Sequence, residues 1–129
     1  MKWTLPLVFA LASTMPMYAK SLPVWEQDAI RAALKRNQVD TKFFPIVAAI
    51  RHQENGQSGL DFGIIHPKAK TYGTQAGWCV CTVSKNFQRW NGEGSFIEFL
   101  GQRYCPTVRT DVWIRNVKYW AEFYGSRIK

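Results

Sequence analysis

With 129 residues, 47% of them apolar and 15% aromatic, the chain can bury one real core, which excludes a disordered protein and leaves too little material for two comfortable domains. Seventeen Lys and Arg against nine Asp and Glu give a net charge of +8, which disfavours a cationic partner. Nucleic acid, anionic lipid and bacterial wall polymer all stay open on charge alone.

Lys2 precedes an uncharged run from Trp3 to Tyr18 that ends at Ala19-Lys20-Ser21, the plan of a secretory signal peptide cut after Ala19. The run is shorter than the roughly 20 apolar residues of a spanning helix and is interrupted by Pro6 and Pro16, so no stable membrane anchor is expected. Residues 1–19 are therefore read as a leader and 20–129 as one exported domain, periplasmic or extracellular. Export makes nucleic acid a poor candidate and the wall a good one. No glycine-rich phosphate loop, zinc spacing or recognition-helix signal accompanies the charge.

Val24, Trp25, Ala29, Ala32 and Ala33 recur at helical spacing after Pro23, which predicts a first helix over about residues 23–36 with these side chains on its apolar side. Asp40 is the expected cap of a second helix whose buried stripe holds Phe43, Val47 and Ile50, and which stops at Glu54-Asn55-Gly56. The stretch GQSGLDFGIIHPKAKTYGTQ reads as an irregular loop or a small β-hairpin. Long loops inside a compact domain tend to carry function. Thr74 is the expected cap of a third helix reaching Trp90, with Val80, Val83, Phe87 and Trp90 on one face. Ser95-Phe96-Ile97-Glu98 has capping-box spacing and predicts a fourth helix burying Phe96, Phe99 and Leu100. Asp111 is the expected cap of a last helix in which Trp113, Val117, Trp120 and then Tyr124 recur at steps of three and four, closed by Gly125. Trp78, Trp90, Trp113 and Trp120 are expected in the core. The fold class is therefore mainly α, one helical domain with a short irregular or hairpin segment in its middle.

Cys79, Cys81 and Cys105 are an odd count, which in an oxidising compartment suggests one disulfide and one leftover thiol. Folding the third and fourth helices back about Gly92–Gly94 brings Cys105 towards Cys79 and Cys81, and Cys81 is the preferred partner. There is no C-x-x-C pair, and His52 and His66 are not placed to complete a zinc site, so neither a metal nor another cofactor is expected.

The chemistry concentrates in AAIRHQENGQSGLDFGII, where Glu54 ends an apolar helix and glycines follow at once. A carboxyl held there beside apolar walls can have its pKa raised by desolvation until it donates a proton near neutral pH. A glycosidic oxygen needs that proton, because an alkoxide leaves poorly unless protonated as the bond breaks. The segment IVAAIRHQENG followed by GLDFGII resembles the catalytic segment of lysozyme-like proteins and lytic transglycosylases, in which a helix ends in a catalytic glutamate and a glycine-containing loop or hairpin follows. The usual transglycosylase form has Glu-Ser and a later Gly-Leu-Met-Gln; here Glu54 is followed by Asn55, and Gly59-Leu60-Asp61-Phe62-Gly63 stands in the later place.

The resemblance implies a lysozyme-like domain that cuts the β-1,4 bonds of peptidoglycan glycan strands, with Glu54 as acid/base. Asp61 is the other carboxylate of the irregular segment; it would hold a water or steady an oxocarbenium-like transition state if it lay across the cleft, and would serve the turn if it did not. A single-glutamate transglycosylase would let the sugar's own 6-hydroxyl attack, and this route is slightly preferred. Tyr72 and Gln75 enter the third helix where the cleft wall of such proteins tends to lie and are candidate substrate contacts. His52, two residues before Glu54, points to another face and is read as packing. The rival reading is a non-catalytic wall-binding or envelope assembly protein of the same shape. The oligomeric state leaves no mark on the sequence.

Overall fold

A computed structural model of the chain describes residues 21–129. The expected leader, residues 1–19, lies outside the described residues. Five α-helices follow in order, α1 Val24–Arg36, α2 Phe44–Glu54, α3 Tyr72–Arg89, α4 Phe96–Tyr104 and α5 Thr110–Phe123, with a 3-10 turn, Thr41–Phe43, leading into α2. The fold is mainly α. Among the described residues there is no strand, and none of the helices is long and apolar enough to cross a membrane.

The core is built around α2. Ile46, Val47, Ala48, Ala49 and Ile50 are all fully buried, so the first two turns of this helix are apolar on every side and have to lie inside. Burying each of the large side chains contributes about 1.5–3 kcal/mol. α5 lies along α2 and runs antiparallel to it, because successive contacts pair Trp113 with Glu54, Asn116 with Gln53, Trp120 with His52 and Tyr124 with Phe44. α1 packs on α3, and α4 on both α3 and α5.

Several boundaries and faces differ from expectation. α3 starts at Tyr72, capped by Thr71 instead of Thr74: Thr71 Oγ1 accepts from Thr74 N at 3.1 Å while Thr71 N donates to Thr74 Oγ1 at 3.0 Å, a closed capping box. In α1 the buried residues are Glu26, Ile30, Ala33 and Leu34, whereas Val24 and Trp25 are 73% and 59% exposed. The inward register is i, i+4, i+7, i+8 from a glutamate, and the apolar residues at the start of the helix face out. α5 begins one residue before Asp111, whose carboxylate accepts from Val112 N at 2.9 Å without capping the helix.

The three cysteines are free thiols. Cys81 donates to Asn37 Oδ1 at 3.4 Å and so faces α1, whereas Cys105 sits beside Thr107 at the end of α4. The expected Cys81–Cys105 bridge is therefore not formed. Cys79, two residues from Cys81, points inwards and is buried; desolvation pushes its thiol up to about 12.

Candidate active site

Glu54 is the last residue of α2. Asn55 follows in the left-handed region at φ 42° and donates to Arg51 O at 2.8 Å, which ends the helix and turns the chain sharply away. The Glu54 carboxyl is half-buried. Its Oε2 accepts from Trp113 Nε1 at 2.9 Å, and Trp113 is itself 1% exposed, so the donor is rigid. Trp113 stacks on Tyr104 with ring centroids 5.4 Å apart. Burial raises the Glu54 pKa above the usual carboxyl range, and the Trp113 hydrogen bond opposes the shift only in part.

Gly63 closes the other side of this carboxyl. A Cβ built on Gly63 would lie 2.5 Å from Glu54 Oε1 and 2.7 Å from its Cδ, and the residue has φ +75°, so both space and backbone require glycine. Gly63 belongs to the loop between α2 and α3, which is irregular with short turns at 58–59, 61–62 and 67–68 and is not a hairpin. The absence of a partner strand has a physical counterpart: side chains satisfy the loop's backbone. Gln75 Oε1 accepts from Phe62 N at 3.0 Å and Ile64 N at 3.2 Å. Gln75 Nε2 faces the carbonyls of Gly59, Ile64 and Ala69 at 2.9, 2.7 and 2.6 Å, three acceptors sharing two hydrogens. Tyr104 donates to Phe62 O at 2.7 Å.

Arg51, one turn before Glu54, braces the start of the loop. Its Nε donates to Glu26 Oε1 at 2.8 Å, and its Nη1 to Gly56 O and Asp61 O at 3.2 and 3.3 Å. Gly56 fits because the loop folds back on it; a Cβ there would meet Leu60 O at 1.7 Å. Glu26, buried in α1, also accepts from Tyr72 OH at 2.8 Å. Burial and this bond to Glu26 push the Tyr72 phenol well up.

The expected site residues thus separate. Glu54 stands at the end of α2, half-buried against Trp113 and Gly63. Asp61 is 7% exposed, with one carboxylate oxygen 3.3 Å from Gly59 N and the other 4.0 Å from Arg51 Nη2, so it serves the loop turn and does not face Glu54 across a cleft. Gln75 is fully buried and cannot touch a substrate; it is the hub that shapes the loop. Tyr72 has its hydroxyl engaged by Glu26 and its ring edge-on to Phe62 and Trp25. His52 packs as expected, flat on Trp120 with centroids 3.7 Å apart and Nε2 2.8 Å from Tyr124 OH. Trp78, expected in the core, is 40% exposed and leans against His66.

Glu26, Arg51 and Tyr104 were not singled out by sequence. Glu26 carried a usable signal, since it is in register with Ile30, Ala33 and Leu34 and so begins the buried stripe of α1. Gly63 stands in the Gly59–Gly63 element noted in the sequence, yet no local signal shows that it closes on Glu54, nine positions earlier. Among the described residues no three His, Cys, Asp or Glu side chains gather as a metal-binding group. No protein-family model, no curated protein and no solved structure matches the chain at a significant level.

Proposed function

We propose that the chain is a lysozyme-like enzyme that cleaves glycan strands of peptidoglycan, with Glu54 as the single acid/base. The observation that carries the proposal is the carboxyl itself: half-buried at a helix end, held at Oε2 by a buried indole N–H, and packed at Oε1 against a glycine that leaves no room for a side chain. A carboxyl in that setting keeps its proton to higher pH than an exposed one, and the rigid indole fixes the direction in which it is offered. Glu54 gives this proton to the glycosidic oxygen as the bond to C1 breaks and becomes a carboxylate beside the cationic sugar. It then takes the proton from the sugar's 6-hydroxyl as that oxygen attacks C1, which closes a 1,6-anhydro ring and restores the acid.

The intramolecular route is preferred over hydrolysis because Asp61, the second carboxylate of the loop, is committed to Gly59 N and Arg51. The net charge of +8 suits an anionic wall, and export of the chain, which the leader implies, would bring it there. Digestion of purified peptidoglycan by the wild-type protein and Glu54→Gln, with mass spectrometry of the soluble products, tests the proposal. Anhydro-muropeptides from wild type, reduced at least about 100-fold in Glu54→Gln, are expected. Reducing-end products would replace the intramolecular step by water attack. A folded wild-type protein that binds the wall and releases nothing would make the chain a wall-binding protein.

A further inference from the structure

A cleft lies away from Glu54, between the C-terminal end of α1 and α3. Its volume is about 490 Å³, within the size range of small-ligand sites. Its wall on α1 is Arg36 and Asn37, and its wall on α3 is Trp78, Thr82 and Lys85, with Gly77 between them. None of these residues is hydrogen-bonded to Glu54, Gly63 or Trp113 or stacks on Trp113.

Three features make this a built recess. Gly77 sits in the middle of α3, where glycine is a poor helix former, yet neither a left-handed backbone nor a clash requires it. A Cβ there would be in ordinary contact with Arg36 Nη2 at 3.4 Å and Asn37 Nδ2 at 3.6 Å, so a longer side chain at this position would crowd the α1 wall of the cleft. Trp78 is 40% exposed beside that space, with His66 covering part of its ring at a centroid distance of 4.3 Å. Arg36 and Lys85 bring two positive charges to a lining that contains no carboxylate, and among the described residues neither is ion-paired; Arg36 makes one bond, to Gly73 O at 3.3 Å.

We infer that this cleft binds a carboxylate-bearing muramyl peptide, the sugar or peptide body lying on Trp78 and the carboxylate between Arg36 and Lys85. The charge and the aromatic surface are properties of the cleft; the choice of a wall fragment as occupant rests on the function proposed above. An indole face suits the apolar face of a ring, and a guanidinium paired with an ammonium suits a carboxylate. Binding here would hold the enzyme on peptide-bearing wall while Glu54 works on the strand.

The test is calorimetric titration of the purified protein with N-acetylmuramoyl-L-alanyl-D-isoglutamine, with N-acetylglucosamine as the uncharged sugar and inorganic phosphate as the bare anion. Wild type and Glu54→Gln should bind the muramyl dipeptide alike, more weakly as salt rises, and bind the two comparison ligands at least about tenfold more weakly. Gly77→Met, which fills the recess and improves the helix, and the pair Arg36→Glu with Lys85→Glu should each lower affinity about tenfold or more, with thermal unfolding confirming that both variants are folded. No saturable binding by wild type would overturn the inference, as would affinity unchanged in folded Gly77→Met. Equal affinity for phosphate would overturn the assignment of a muramyl peptide and leave a general anion site. Absence of strand cleavage together with retained dipeptide binding would sink the enzyme proposal and leave the cleft standing.

Discussion

Gly63 is the residue where a single methyl group separates a structural from a chemical role. Its positive φ makes alanine strained by about 1–3 kcal/mol, and the new Cβ would strike Oε1 of Glu54 at 2.5 Å. The carboxyl would have to leave its bond to Trp113 or push the loop outwards, and either movement removes the orientation that proton transfer needs. Gly63→Ala is therefore expected to stay folded, to lose stability in that range by chemical denaturation, and to release wall fragments about 100-fold more slowly. Wild-type digestion rates from the variant would disprove the placement of Glu54 against the loop. Glu54 was legible because its helix, its stop and the glycines after it are consecutive in the chain. Gly63 and Trp113 were not, because nothing local says which distant atoms they approach.

At the scale of elements, the segment between α2 and α3 keeps its shape through side-chain hydrogen bonds, those of Gln75 foremost, rather than through strand pairing. Gln75 lies in the first turn of α3 because Thr71 caps that helix, and from there its amide reaches five backbone groups of the loop. Gln75→Leu is close in volume but leaves those groups unbonded in a buried place, at an expected cost of about 2–4 kcal/mol. Limited proteolysis should then cut within residues 56–71 while the helical circular dichroism signal is largely kept. A loop as resistant as wild type would show that its conformation does not depend on Gln75. Glycine content marked this stretch as irregular, yet the choice between loop and hairpin could not be made from it. An amide that substitutes for a neighbouring strand is a contact made only once α3 has docked, and the same is true of Arg51 bridging Glu26 to the loop carbonyls.

On the scale of the whole molecule, the antiparallel seam of α2 and α5 contributes to how stability responds to pH. His52 is enclosed between Trp120 and Tyr124, and burial, aided by the nearby charge of Arg51, lowers its pKa from the ordinary 6.5 to about 4. The unfolded chain therefore takes up a proton at this position as pH falls below about 6.5 while the folded chain declines it until about 4. Stability contributed by neutral His52 is present above pH 6.5 and is lost across that window. His52→Gln, which cannot titrate, should flatten the dependence of the unfolding midpoint between pH 6.5 and 4 relative to wild type. An unchanged slope would mean that other groups control it. The sequence by itself determined the helical class, most of the helix ends, the inward faces of α2 and α5, and Glu54 as the chemical candidate, because periodicity, caps and a glycine-marked stop act over a few residues. Tertiary structure alone decided the free thiols, the exposure of Trp78 beside a recess, and the commitment of Asp61 and Gln75 to the loop. Each of those depends on which helix a side chain meets across the core, and that is determined by how the helices dock.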